Sequence, residues 1–187
     1  MKINLQELGA GSPVLAGKQA GQRIFTRLVE ATAQPPQTPQ ALFLDFTGVE
    51  VATASFLRES VLAFRDHIRG RRSHYYPVVA NANETVQDEL LELVRSRGGA
   101  LMACTLSGND TVTEAALIGE LEPKQRMTFD LVAKHGETDA GQLMRDHADT
   151  RHATAWNNRL SSLAALGLVM EVAQGRSKRY RPLFGGA

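Results

Sequence analysis

Two periodicities of hydrophobic residues alternate along the first 106 positions of the chain. Apolar side chains recur every three or four residues, the spacing of one helix face, at residues 18–33, 53–70 and 83–94. Shorter stretches have the composition of strands, at residues 2–5, 41–46, 76–80 and 100–106. Strands alternating with helices of this length predict a layered α/β domain over residues 1–106, with most helices on one face of the sheet.

Polar residues next to these segments predict how the helices begin. Thr53 or Ser55 is expected to cap the second helix, and Asn83 or Thr85 the third. Asp45 ends a strand of continuous apolar residues, where a carboxylate more often caps the next turn than serves as an acid in a cleft.

The following segment interrupts the alternation. Residues 107–123 are small and polar and predict a linker with at most one short helical turn. Helices are then predicted over 124–135 and from Asp139 onward. Residues 124–187 therefore predict a second, mainly α-helical domain.

The stretch from Thr150 to Pro182 predicts a third helix followed by a hairpin. One face of the helix is apolar, with Trp156, Leu160, Leu163 and Leu166. Gly167 is expected to end the helix, because glycine adopts a left-handed conformation without steric cost. A short strand-like run and Gly175 then lead into a basic segment, which predicts a β-hairpin with a cationic tip.

Charge separates the two parts of the chain. The chain has a net charge of +1. Residues 1–123 contain 11 Lys and Arg and 14 Asp and Glu, whereas residues 124–187 contain 10 Lys and Arg and 6 Asp and Glu. The excess is densest at the predicted hairpin, at Arg176, Lys178, Arg179 and Arg181. A cationic second module beside an acidic first one suggests two modules with different partners, and on charge alone both nucleic-acid binding and an ordinary solvated surface are open for the second.

Composition and motifs exclude several other classes. No apolar run reaches the roughly 20 residues that span a bilayer, and the first residues contain no apolar signal core, so a cytoplasmic protein without membrane contact is expected. Cys104 is the single cysteine and is expected to lie inert in the core. The five histidines show no metal-binding spacing, and neither a phosphate-loop nor a nucleophile-elbow motif is complete. We expect no enzymatic activity, no metal and no cofactor.

The segment LDFTGVEVATASFL, Leu44 to Leu57, resembles the central segment of the STAS fold (sulfate transporter and anti-sigma factor antagonist), particularly STAS-like domains of bacterial multidomain proteins. The resemblance covers roughly residues 1–106. It implies an α/β domain that senses a signal or docks a partner through the surface around Thr53, Ser55 and Arg58. Anti-sigma factor antagonists carry a phosphorylatable serine at the start of this helix. Here Ala54 occupies that position, so the usual switch is not expected and Ser55 is expected to cap the helix.

Residues 124–184 resemble bacterial winged helix-turn-helix transcription regulators. Ala140, the pair Gln142-Leu143 and the phrase NRLSSLAALGLV carry this resemblance. It implies a recognition helix that runs into Gly-Leu-Val and a wing. It specifies the fold more closely than DNA binding, because some winged helices bind protein instead.

The residues also make a separate case for DNA contact. Asn157, Asn158 and Thr154 are expected to face outward from the third helix, where amides and hydroxyls bond base edges. Arg151 and His152 precede that helix, where side chains and free backbone N–H groups meet phosphates. The hairpin cations Arg176, Lys178, Arg179 and Arg181 are expected to contact the DNA backbone or minor groove.

These observations predict a bacterial DNA-binding transcription regulator with an N-terminal STAS-like sensing or interaction domain. Because the reading helix is weakly basic, a homodimer on double-stranded DNA is expected. The alternative is a non-enzymatic protein-interaction adaptor of the anti-sigma antagonist type, whose winged helix binds protein. Small-ligand sensing by the α/β domain is left open.

Overall fold

The structure, a computed structural model, describes residues 1–147, 152–175 and 177–185. The chain forms two compact units, Met1–Glu120 and Leu121–Ala187. The first has an α/β fold with a mixed sheet, as predicted.

A five-stranded sheet organises the first unit. Its strands are β1 (Lys2–Asn4), β3 (Gln40–Asp45), β5 (Tyr75–Ala80), β6 (Ala100–Leu106) and β7 (Val112–Gly119), adjacent in this order. The first four run parallel, and β7 is antiparallel to β6. Two-residue strands β2 (Val14–Leu15) and β4 (Val51–Ala52) form a separate parallel pair.

Helices connect the parallel strands. They are α1 (Leu5–Leu8), α2 (Lys18–Ala31), α3 (Ala54–Leu57), α4 (Ala63–Gly70) and α5 (Glu84–Arg97), with a π-helical turn, Arg58–Leu62, between α3 and α4. The sequence predicted one regular helix over 53–70, so the π turn is a difference from the prediction. Buried Ser60 lies in this turn and donates a hydrogen bond from its hydroxyl to the carbonyl of Phe56, 2.7 Å away.

One hydrophobic core unites the helices with one face of the sheet. Alternate strand residues such as Leu42, Leu44 and Val79 belong to the same buried cluster as Leu28 of α2 and Phe56 of α3. Because side chains on a strand alternate between faces, these sheet residues share one face. The predicted packing of the helices on one face is confirmed.

Two N-caps follow from the sequence. The hydroxyl oxygen of Thr53 accepts from the N–H of Phe56 and caps α3, and Asn83 caps α5 through the N–H of Val86. The expectation that Ser55 caps the helix is wrong, because Ser55 lies inside α3 and its hydroxyl is 3.3 Å from that of Thr53.

Asp45 joins the carboxyl ends of three neighbouring strands. Its Oδ1 accepts hydrogen bonds from the N–H and hydroxyl of Thr47, at 3.0 and 2.7 Å, and from Nδ2 of Asn81, at 2.8 Å. Asn81 Oδ1 in turn accepts from the N–H of Leu106. Burial acts to raise the pKa of Asp45, but these hydrogen bonds and the charge of Lys2 outweigh it and hold the pKa below 3.8. The predicted capping role is confirmed.

The segment 107–123, predicted as a linker, instead contains β7. The turn Ser107–Asp110 closes on itself, with a hydrogen bond from the N–H of Asp110 to the carbonyl of Ser107, and it returns the chain beside β6. Ala115 and Ala116 of β7 are exposed. The prediction failed because an edge strand with little buried surface has a small and polar composition.

The second unit contains three helices and a hairpin. These are α6 (Pro123–His135), α7 (Ala140–Asp146), α8 (Ala153–Leu166), β8 (Val169–Gln174) and β9 (Ser177–Pro182). Their core contains Val132, Leu143, Trp156, Leu160 and Tyr180.

Within the described parts of the chain, no helix combines the length and apolar character needed to cross a membrane.

Candidate nucleic-acid interface

Helix α8 has one buried and one exposed stripe. Trp156, Leu160 and Leu163 are completely buried, as their spacing predicts. The helix ends at Gly167, whose φ of +82° is left-handed. The N–H of Leu168 reaches back to the carbonyl of Leu163 at 2.9 Å, the hydrogen bond of a Schellman motif. This stop directs the chain immediately into β8.

The exposed stripe of α8 consists of polar residues. Thr154, Asn157, Asn158 and Ser161 are all exposed, at the helical spacing that places them side by side. His152, the N-cap residue of α8, is exposed as well, and its side chain does not cap the helix. The structure therefore brings together the predicted reading residues Thr154, Asn157 and Asn158 on one accessible surface. Arg151 and Arg176 lie outside the described residues.

The hairpin divides its cations between two faces. In the antiparallel register, Lys178 pairs with Ala173, Arg179 with Val172 and Arg181 with Met170. Since side chains alternate along a strand, Arg179 and Arg181 share one face and Lys178 lies on the other. The sequence prediction placed all three cations on the DNA-contacting surface, but they cannot all contact DNA from one face of the hairpin. Gly175, with φ +62°, supplies the left-handed residue of the connecting turn.

Two of the hairpin cations form ion pairs within the unit. Lys178 Nζ lies 2.9 Å from Glu171 Oε1, and Arg179 Nε lies 2.9 Å from Glu137 Oε1. The Nε hydrogen of Arg179 is not aligned with this oxygen, so the contact is an ion pair rather than a hydrogen bond. Arg179 is only partly exposed. These two residues are therefore less available for phosphate than the sequence predicted.

The hairpin is attached to the helices at two places. Tyr180 exchanges two backbone hydrogen bonds with Thr138, which lies in the connection between α6 and α7, at 2.8 and 2.9 Å. The hydroxyl of Tyr180 lies 3.2 Å from Ser161 Oγ on α8 and donates to Glu171 Oε2 at 3.4 Å. Burial raises the pKa of Tyr180, so its hydroxyl stays protonated at neutral pH.

The rings of His135, His147 and Trp156 form a cluster on the buried side of α8. Nε2 of His135 lies 3.5 Å from Nε2 of His147, and the His147 ring packs against Trp156 with centroids 6.2 Å apart. Trp156 Nε1 is buried and has no hydrogen-bond partner among the described residues. The guanidinium of Arg159 lies 4.9 Å from the centroid of the Trp156 ring. Arg159 is a cation beside the stripe that the sequence prediction missed, although an arginine three positions after a tryptophan is a signal for such a contact.

The residues predicted to bind a protein partner lie together at the start of α3. Thr53 Oγ1 accepts from the N–H of Gly17 at 3.1 Å, so its oxygen already serves the local structure. Ser55 is half-buried and Arg58 is exposed. The Arg58 guanidinium donates to Glu59 Oε1 at 3.2 Å, and this hydrogen bond holds the pKa of Glu59 below its ordinary value.

No group of three or more potential metal ligands occurs among the residues that the structure describes. Burial, with the charge of Asp45, raises the pKa of the Cys104 thiol to about 11. A thiol in this environment stays protonated and is a poor nucleophile.

Neither a protein-family model nor a curated protein sequence matches this chain at a significant level.

Proposed function

We propose that this chain is a cytoplasmic, non-enzymatic transcription regulator that binds double-stranded DNA. In this proposal the second unit is a winged helix-turn-helix, with α8 as its reading helix and the β8–β9 hairpin as its wing. The first unit is a STAS-like domain that senses a signal or a partner.

The observation that carries the proposal is the exposed stripe of α8. Asn157 and Asn158 are both exposed, whereas Trp156 is completely buried, so both amides are accessible from solvent. An amide side chain bonds the N6 and N7 edge of adenine in two places, and a threonine hydroxyl bonds a base or phosphate. A helix face that only contacts solvent does not require several uncharged hydrogen-bonding residues such as Thr154, Asn157 and Asn158 side by side.

Charge around the stripe supports the same function. Residues 121–187 contain 10 Lys and Arg against 7 Asp and Glu. This excess is modest, so one copy of the unit is expected to bind weakly. We therefore propose a homodimer that places two α8 helices in successive major grooves.

The decisive experiment is selection of bound fragments from genomic DNA, followed by fluorescence anisotropy on the selected sequence. Affinity is expected to fall steeply between about 50 and 200 mM salt, because phosphate contacts release counterions. The double variant Asn157→Ala/Asn158→Ala is expected to lose at least about tenfold in specific affinity while keeping the salt slope.

The matched control is Gln37→Ala/Asn109→Ala, which removes two exposed amides from the first unit. It is expected to bind like the unmodified protein. Absence of any DNA binding at about 50 mM salt with micromolar protein would contradict the proposal.

One observation favours the adaptor as a second candidate. The ion pairs Lys178–Glu171 and Arg179–Glu137 neutralise two hairpin cations inside the unit. A protein-binding winged helix has no need of free cations at this position. If a protein partner is identified and its complex is lost in the Asn157→Ala/Asn158→Ala variant, while DNA is not bound at low salt, the adaptor is the better assignment.

A further inference from the structure

A small pocket lies in the first unit where α2 and α4 end. Two segments line it, residues 32–35 after α2 and residues 67–74 at the end of α4, and it encloses about 280 Å³. Buried Thr32 and Ile68 contribute to the wall, whereas Arg71, Arg72 and His74 are exposed. This volume is at the lower end of ligand pockets, which restricts the occupant to a small molecule.

The lining of this pocket is cationic. It includes two arginines and two histidines, and no acidic residue is among them. The side chains of Arg71 and Arg72 have no hydrogen-bond or ion-pair partner within the described ranges. The neighbouring Arg69 differs, because it is buried and donates to the carbonyls of Ser73 and Tyr75.

A cation at the end of a helix often serves only to satisfy the last carbonyl groups. Here backbone N–H groups already perform this role. The carbonyls of His67, Ile68 and Arg69 accept from the N–H groups of Arg71, Ser73 and Arg72, respectively, between 3.0 and 3.2 Å. At the end of α2, Thr32 satisfies the carbonyl of Leu28 with both its N–H and its hydroxyl. The two guanidinium groups are therefore not needed as caps.

Further polar groups are available in the same pocket. Ser73 Oγ accepts from the N–H of Tyr75 at 3.2 Å, which leaves its own hydrogen free to donate. Nδ1 of His74 lies 2.9 Å from the carbonyl oxygen of Pro36 and must donate to it. This contact fixes the imidazole and leaves Nε2 as its remaining polar atom.

Arg72 also adopts an unfavourable backbone conformation. Its φ is +52°, in the left-handed region that glycine occupies without cost. Glycine would fit this position without strain, so the turn itself does not require an arginine.

We propose that this pocket binds a small phosphate-bearing molecule and that Arg71 and Arg72 hold its phosphate. Guanidinium groups match phosphate oxygens in a bidentate manner, and Ser73 supplies a hydroxyl donor beside them. The ligand would be a soluble phosphate compound that reaches the first unit independently of DNA. This inference extends the proposed sensing role by naming a ligand class, and it does not depend on the second unit.

Isothermal titration with sodium pyrophosphate and, separately, with glycerol 3-phosphate tests the proposal on the full chain. Saturable one-to-one binding is expected with at least one of these probes. Arg71→Gln/Arg72→Gln is expected to weaken it at least about tenfold, because two charge-assisted contacts are lost. The control Lys18→Gln/Arg95→Gln removes the same charge at exposed positions outside the pocket and is expected to bind normally.

A second variant separates binding from folding. Arg72→Gly removes one guanidinium and relieves the left-handed strain, so it is expected to be at least as stable as the unmodified protein and to bind pyrophosphate less tightly. No saturable heat with either probe up to about 10 mM would overturn the proposal, as would equal weakening in the control. Loss of DNA affinity in the Arg71→Gln/Arg72→Gln variant without binding of either probe would assign these arginines to DNA, and would also overturn it.

Discussion

The phenolic oxygen of Tyr180 on β9 lies 3.2 Å from Oγ of Ser161 on α8. Tyr180 is completely buried, whereas Ser161 lies on the exposed stripe of the helix. One hydrogen bond thus connects the core of the hairpin to the surface proposed to read DNA. Trp156 is the single tryptophan of the chain, and its fluorescence therefore reports on this unit alone.

Replacement of Tyr180 by phenylalanine is expected to lower the free energy of unfolding of the second unit by about 1 kcal/mol at neutral pH, the usual net contribution of a hydrogen bond. The pKa of Tyr180 is raised in the folded protein, so the folded state retains a proton that the unfolded chain loses above about pH 10. The contribution of Tyr180 to the free energy of unfolding is therefore fully present below that pH. It is lost as the pH rises toward the folded pKa, by at most about 1.4 kcal/mol per pH unit.

Urea unfolding followed by Trp156 fluorescence at several pH values measures both effects. Tyr76→Phe, in the first unit, is the control and is expected to leave the curve unchanged. An equally steep loss of stability at high pH in Tyr180→Phe would show that another group is responsible.

Asp45→Ala is expected to destabilise the first unit by about 1–3 kcal/mol, because it removes the charged acceptor of the hydrogen bonds from Thr47 and from the half-buried Asn81. The pKa of Asp45 is lowered, so its stabilising effect is complete above its ordinary pKa of 3.8 and is lost as the pH falls through the folded value. Hydrogen exchange of β3 and β5 between pH 2.5 and 6, compared with Asp45→Asn, measures this. Identical acid dependence in both proteins would contradict it.

Gly21→Ala is expected to destabilise the first unit by about 1–3 kcal/mol, the cost of overpacking a core. A Cβ at Gly21 would approach the backbone oxygen of Phe56 to 2.7 Å, and backbone atoms cannot move aside easily. Gly70→Ala is the matched control, since a Cβ there meets nothing within 4 Å, and it is expected to be neutral or stabilising. Hydrogen exchange of α2 in both variants measures the difference. Equal effects would mean that helix propensity, and not the close contact, dominates.

Glu137→Gln is expected to tighten DNA binding by about two- to fivefold at low salt. The substitution removes an acid near the hairpin and releases Arg179 from its ion pair, a change of the size that exposed pairs usually show. Fluorescence anisotropy on the selected DNA measures it. Glu92→Gln releases Arg95 in the first unit in the same way and is expected to have no effect. Weaker binding in Glu137→Gln would show that the ion pair positions Arg179 for DNA.

A fragment that ends at Glu120 is expected to unfold cooperatively, whereas one that ends at Leu106 is not. The longer fragment retains β7, which pairs with β6 along its whole length, and the shorter one exposes that edge. Circular dichroism during thermal unfolding compares the two. Equal cooperativity would show that β7 is dispensable.

Features with a strong local pattern were predictable from the sequence. The buried stripe of α8, its end at Gly167 and the Asn83 cap each depend on residues close together in the chain. The outward position of Asn157 and Asn158 followed from the same periodicity. The sequence alone therefore predicts the polar surface proposed to contact DNA.

Features that depend on distant partners were not predictable. β7 owes its existence to pairing with β6, and its small, exposed residues show no strand alternation. The pairing of Arg179 with Glu137 joins positions far apart in sequence. The cationic pocket likewise combines the ends of two helices that only the tertiary fold brings together. The small polar residues of the turn Ser107–Asp110 are compatible with a hairpin as well as with a linker, and only the pairing with β6 distinguishes the two.

The bridge between Thr138 and Tyr180 has a consequence for the order of folding. It joins the first interhelical connection of the second unit to its last strand, so α7 and α8 lie within a loop that closes late. Contacts between distant positions form slowly, because the loop entropy must be lost before they contribute. We therefore expect the contacts that hold the hairpin to the helices, including that of Tyr180 with Ser161, to form only after β9 has been synthesised.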